Sequence, residues 1–168
     1  MSIEIRQATA ADAAAIHAIT QEAFKKYAED LALPGAVTAL TETPADILRQ
    51  LQEKVILIAF LDGEPVGSIR YERLGDVAYI SRFGVKLAAQ KACVGRALME
   101  DVEARARGEG YAAIALHTSS RMTPLMRFYY GRGYFVQSLT YDRGYIRALL
   151  VRELGAQDAY DLTGAMKK

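Results

Sequence analysis

Residues 79–99 read YISRFGVKLAAQKACVGRALM, and this stretch decides how the rest of the chain is read. Tyr79 to Val85 has the length and the β-branched or aromatic content of a buried strand. A short turn, Lys86 to Lys91, leads into a helical pattern with Val94, Leu98 and Val102 four residues apart. At the joint, Gln90-Lys-Ala-Cys-Val-Gly95 leaves the backbone nearly bare where the helix begins. A helix start offers unpaired N–H groups and the positive end of the macrodipole, which suits phosphate. Arg82, Lys86, Lys91 and Arg96 add positive charge, and no acid follows until Glu100. The joint expects a polyanion.

Two common phosphate-binding strings are absent. The chain contains neither Gly-x-x-x-x-Gly-Lys followed by Ser or Thr, nor Gly-x-Gly-x-x-Gly. The joint instead resembles the pyrophosphate-arm motif of the GNAT (GCN-five-related) N-acetyltransferases, Arg/Gln-x-x-Gly-x-Gly/Ala. Gln90 and Gly95 match it and Val85 closes the preceding strand, while Cys93 stands where the first glycine belongs. A second family hallmark, Phe-Tyr-x-x-x-Gly-Phe, is met by Phe128, Tyr129, Gly133 and Tyr134, with Tyr for the last Phe. The segment carrying it opens on Thr123-Pro124, an N-cap followed by a first-turn proline, and closes on Gly133 as a left-handed cap.

Composition fits a soluble globular chain. The 168 residues suit one domain with about two-thirds of the unfolded surface buried. A net charge of +1 lacks the basic excess of a nucleic-acid binder. A lone cysteine and two isolated histidines form no metal-ligand cluster. No apolar run approaches membrane-spanning length and no leader pattern opens the chain, so no membrane partner and a cytoplasmic location are expected.

Around the joint, Ile3 and Ile5 alternate as a first strand, and Asp12 starts a helix with Ile16, Ile19, Ala23, Phe24 and Tyr27 on its apolar face. Thr43-Pro44-Ala45-Asp46 announces a second helix by cap, proline and capping-box acid. Strands at 55–61 and 66–73 are joined through Asp62-Gly63-Glu64-Pro65. Further strands are predicted at 112–118, 134–139 and 145–151, and residues 155–168 read as a loose tail.

The resemblance, strongest over residues 3–153, implies an α/β (α+β) GNAT fold in a single domain, residues 1–168. Its sheet is expected to be mixed and mostly antiparallel, of about seven strands, flanked by about four helices and splayed between the fourth and fifth strands. It also implies acetyl-CoA (or another acyl-CoA) as cosubstrate and an amine as acceptor, with no metal. The backbone of Gln90, Lys91, Ala92, Cys93, Val94, Gly95 and Arg96 would hold pyrophosphate, and Phe83, Gly84 and Val85 the pantetheine arm. Gly84 is the expected seat of a strand distortion that aims an amide at the thioester oxygen. Tyr129 aligns with the general acid that protonates the leaving thiolate. Many relatives carry a Glu where this chain has Ser81, so the base is open; His117 and a water chain are the candidates. Met122 departs from an Asn that often contacts the cofactor arm. With Cys93 and Ser81, it keeps open an acyl-CoA-binding sensor without transferase activity. Glu29, Asp30 and Glu42, in the irregular stretch before the second helix, would suit a cationic amine. A homodimer is an open option.

Overall fold

A computed structural model describes residues 1–155 and 159–168. Seven strands form one sheet in the order β1-β2-β3-β4-β5-β7-β6. They are β1 (Ile3–Gln7), β2 (Val55–Leu61), β3 (Glu64–Leu74), β4 (Val77–Val85), β5 (Ala113–Ser119), β6 (Phe135–Thr140) and β7 (Arg147–Glu153). The helices are α1 (Ala13–Leu31), α2 (Pro44–Glu53), α3 (Val94–Gly108), α4 (Thr123–Gly131) and the one-turn α5 (Thr163–Met166). β4 and β5 run parallel; β1 with β2, β2 with β3, β5 with β7 and β6 with β7 pair antiparallel. The β4–β5 register pairs Val77, Ala78 and Tyr79 with Ala113, Ile114 and Ala115. This is the expected mixed sheet. None of the described helices is long and apolar enough to cross a membrane.

The chain divides into two compact units. The first holds Met1–Glu72 and Arg82–Val102; the second holds Arg73–Ser81 and Glu103–Lys168.

In the first unit, Asp62 and Gly63 both take positive φ, 49° and 85°, and close a two-residue hairpin between β2 and β3. That backbone matches the right-handed twist of the strands it joins. Thr43 caps α2 as its sequence announces, its hydroxyl accepting from the Asp46 N–H while the Asp46 carboxylate accepts from the Thr43 N–H. Ile16 on α1, Ile47 on α2 and Ile56 and Ile58 on β2 close into one fully buried cluster. Burying each contributes about 1.5–3 kcal/mol. Gly67 on β3 lets α3 approach: a Cβ there would lie 3.0 Å from both Val94 and Leu98 side chains.

In the second unit, Val77, Tyr79, Ala113, Ala115, Leu149 and Val151 build a core on one face of β4, β5 and β7. Ala165 of α5 is buried in it, with Tyr160, Leu162 and Leu74 packed alongside. The stretch expected to be a loose tail is therefore tied down over its last turn. Tyr160 Oη donates to Glu153 at 2.8 Å and the Asp161 N–H to Asp76 at 3.2 Å. Its lack of period reflects four helical residues, too few for a helical repeat to show. Residues 156–158 of that stretch lie outside the described residues.

Candidate functional site

In the first unit, β4 runs into the joint and α3. Arg82 sits inside β4 with φ of 50°, a left-handed conformation that a bulky residue adopts only when its surroundings impose it. Arg82, two residues before Gly84, thus carries the left-handed backbone in this strand. Gly84 has a different reason to be glycine. A Cβ there would lie 2.8 Å from the Ala23 Cβ and 3.6 Å from the Phe24 ring, so α1 packs against bare strand backbone.

After Val85, a 3-10 turn at Leu87–Ala89 is held by Glu22, whose carboxylate accepts the Leu87 N–H at 2.7 Å. The Gln90 side chain folds back and donates to the Val85 carbonyl at 3.2 Å. It thus fixes the strand-to-turn corner, a physical reason for Gln at that place. The Cys93 carbonyl accepts from the Ala97 N–H at 3.0 Å, so Cys93 opens α3. It does so with φ of 63° and its side chain exposed. The motif's glycine is the residue for which such a φ costs least, and Cys93 takes the same conformation at a cost.

By helix geometry the first-turn amides of α3, Val94, Gly95 and Arg96, lack intrahelical partners. No acid occupies that turn, and Gln90, Lys91 and Arg96 are exposed beside it. Arg96 also pairs with Glu100 at 2.8 Å, a solvent-exposed i,i+4 contact that holds little energy and yields readily to a phosphate. Gly95 packs on β4: a Cβ there would meet the Phe83 ring at 3.4 Å and Val85 at 3.7 Å. The residues expected to cradle pyrophosphate form one continuous basic start to a helix.

In the second unit, Tyr129 faces inward from α4, 5% exposed, whereas Tyr130 is 53% exposed. The one-position offset turns the two rings to opposite environments, as a helix requires. The Tyr129 ring meets Phe128 and Tyr134 edge-on at centroid distances of 5.3 and 5.6 Å. Its carbonyl accepts from the Arg132 and Tyr134 amides, and Gly133 takes the left-handed cap at φ of 88°. The helix opens differently from its sequence signature: Met122 occupies the cap and Thr123 is already helical, so no side chain caps α4. Tyr134, in place of the family's Phe, is buried with a hydroxyl that has no hydrogen-bond partner, and burial raises its pKa.

His117 on β5 joins Nδ1 to the Tyr79 hydroxyl at 2.7 Å, and its buried Nε2 has no partner. Burial first, then the charges of Arg147 and Arg143, pull its pKa down to about 4 against an opposing Asp142. The ring is neutral at pH 7 and a weak base. Ser81 carries a buried hydroxyl without a partner and no carboxylate.

The sequence reading missed two charged clusters whose members are far apart in the chain. Arg70, fully buried, grips Glu42 through both guanidinium nitrogens at 2.6 and 2.7 Å and also reaches Gln50. Burial raises the Glu42 pKa, but Arg70 and then Arg82 outweigh it, so Glu42 stays ionised and engaged. This removes Glu42 from the acids expected to attract a cationic amine. In the second unit, Glu103 takes Arg132 at 2.9 Å and Arg152 at 2.5 Å, tying α3 to the end of α4 and to β7. Among the described residues, no group of three His, Cys, Asp or Glu side chains could hold a metal.

Comparison with known proteins identifies the family and the fold. Residues 15–134 match the family described as the acetyltransferase (GNAT) family. No curated protein matches the chain. Among solved structures, the PaiA N-acetyltransferase of Thermoplasma acidophilum, in complex with coenzyme A, superposes with a TM-score of 0.81 at 18% identity, covering 91% of this chain and 99% of that one. The ribosomal-protein-S18-alanine N-acetyltransferase of Escherichia coli gives 0.75 at 15%, covering 95% and 100%. YncA of Salmonella typhimurium, solved with acetyl-CoA, gives 0.73 at 22%, covering 96% and 99%. At these identities the likeness is one of fold.

Proposed function

The chain belongs to the GNAT acetyltransferase family, and from that premise we propose that it moves an acetyl group from acetyl-CoA to an amine by direct attack. The observation that carries this reading is the start of α3, with first-turn amides, exposed basic side chains and Cys93 held in the conformation the motif's glycine would take. Gln90 to Arg96 hold the pyrophosphate through backbone amides, which any residue except Pro can offer. Phe83 to Val85 align the pantetheine arm as an added strand would be aligned. Acetyl-CoA supplies an activated thioester. An amide beside the left-handed residue Arg82 is the candidate donor to the developing oxyanion, and a donor so placed lowers the barrier by about 3 kcal/mol.

Tyr129 supplies the proton for the departing sulfur. A phenol, with an ordinary pKa of about 10, is still protonated at neutral pH, when coenzyme A would otherwise leave as a bare thiolate. Removal of the acceptor's ammonium proton falls to His117 or to a chain of waters. His117 is neutral and can accept a proton, although its lowered pKa makes it a transient carrier. The protein is assigned to the cytoplasm, with no nucleic-acid or membrane partner.

A thiol-release screen with acetyl-CoA and a panel of amines tests the proposal. Acetylation of at least one amine, with free thiol released in equal amount, is expected. Tight acetyl-CoA binding without turnover on any amine would favour the sensor, the reading that Ser81, Cys93 and Met122 support.

A further inference from the structure

β6 ends the sheet: it pairs with β7 on one side and, among the described residues, with no strand on the other. Its sequence, Phe135-Val-Gln-Ser-Leu-Thr140, carries neither a charge nor a proline. The strand at the other end of the sheet order, β1, carries Glu4 and Arg6. Charge or proline on an edge strand discourages pairing with another chain, and β6 lacks that protection. Of the large apolar side chains exposed among the described residues, Tyr130, Phe135, Leu139, Tyr141 and Ile146 gather in residues 130–146, the segment that contains β6.

The pairing with β7 tells which face each side chain takes, because directly opposed residues of an antiparallel pair point to the same face. Phe135, Ser138 and Thr140 oppose Val151, Leu149 and Arg147, and Val151 and Leu149 belong to the core that holds α5. Val136 and Leu139 oppose Leu150 and Ala148 on the other face. A bulge at Gln137 produces this change of phase. Phe135, 41% exposed, and Leu139, 59% exposed, therefore flank the free edge on opposite faces. A helix docked on one face would cover one of them. A strand laid along the edge covers both.

We infer that β6 pairs antiparallel with β6 of a second copy of this chain, about a two-fold axis normal to the sheet. The strand is complementary to itself. With the axis between Gln137 and Ser138, Val136 opposes Leu139 of the second copy on one face, and Phe135 opposes Thr140 of the second copy on the other. Each contact occurs twice, as a two-fold requires, and each joins residues that the β7 register already places on a common face. Apolar pairs and aromatic–β-branched pairs are the cross-strand contacts that stabilise sheets, and along these six residues no like charges meet.

The test has two arms, and neither needs acetyl-CoA or turnover, so neither depends on the transferase reading. An interface of one strand and its flanks lies at the small end of specific interfaces, and association in the micromolar range is expected. Sedimentation equilibrium of the full chain from about 1 to 500 μM covers that range. The wild type should approach the mass of a dimer. Leu139→Lys and Phe135→Lys each place a charge at the pairing edge of both copies and should weaken association by about 100-fold. Both positions are exposed, so the melting temperature should stay near wild type. Glu4→Ala, on β1, should leave association unchanged. A wild type that stays monomeric throughout would overturn the proposal, and so would lysine variants that associate as the wild type does.

In the second arm, hydrogen exchange of the wild type is followed at the dilute and concentrated ends of that range. Amides within residues 135–140 should exchange at least about fivefold more slowly in the concentrated sample. Protection confined to another surface would overturn the proposal. Protection of β6 by an added uncharged β-forming peptide, with none from concentration alone, would give the edge to a foreign strand and overturn it as well. If neither lysine variant folds, this comparison on the wild type decides.

Discussion

Replacing Cys93 by glycine should make the protein both more stable and better at holding coenzyme A. Cys93 sits at φ of 63°, where a residue with a Cβ is strained by about 1–2 kcal/mol. Glycine removes that strain but gives the unfolded chain extra freedom, which offsets about 0.5–1 kcal/mol. The balance is a gain of about 0.5–1 kcal/mol, or roughly 1–4 °C in a chain of this size. The side chain is exposed, so its removal leaves no cavity to subtract from this gain. Opening the backbone beside Val94 and Gly95 should also let a pyrophosphate approach the amides more closely, which tightens binding. Differential scanning calorimetry without ligand, then titration with coenzyme A, reads the two effects separately. A lower melting temperature would refute the strain argument, and weaker binding would refute the steric one. Cys93→Val provides the reverse control: a β-branched residue at this φ should be less stable than the wild type.

Tyr129→Phe should lower turnover by about 10²- to 10⁴-fold with little change in coenzyme A affinity, while Tyr130→Phe, on the exposed side of α4, should leave turnover near wild type. Equal activity in Tyr129→Phe would reduce Tyr129 to a packing residue. Gly84→Ala should destabilise by about 1–3 kcal/mol, because its Cβ would collide with Ala23 at 2.8 Å, and chemical denaturation measures the loss. An unchanged midpoint would mean that α1 is free to shift. Stability should also fall between about pH 6.5 and 4. In that window the unfolded chain protonates His117 while the folded chain, with the pKa pulled down to about 4, does not. The loss is complete below the folded pKa, whereas Asp12 and Asp46, lowered to about 2, withdraw their stabilisation only at still lower pH. His117→Phe should flatten the melting temperature across that window; an unaltered slope would assign it to another group.

Local chemistry was legible where a few adjacent residues decide the backbone. Asp62-Gly63 specifies a hairpin turn with two positive φ values, and Thr43 to Asp46 specify a helix start; both form as read. The seven strands and their order rest on the family likeness, since pairing between distant segments is not written in local periodicity. Gly84 shows the limit of a single-residue reading. Glycine in a strand signals either a bulge or a close approach, and only the position of α1 distinguishes them. Arg82 gave no sign of its left-handed backbone, because tertiary packing imposes it against the residue's own preference. The Arg70–Glu42 pair was equally hidden: the partners are 28 residues apart, and each alone looks like an ordinary surface charge.

The central claim is that the start of α3 binds the pyrophosphate of acetyl-CoA, and an amide NMR titration with acetyl-CoA at moderate salt tests it most directly. The account predicts saturable shifts at Val94, Gly95 and Arg96, with Gln90 to Cys93 moving alongside at one ligand per chain. Unperturbed amides across Gln90 to Arg96 at millimolar acetyl-CoA would contradict it.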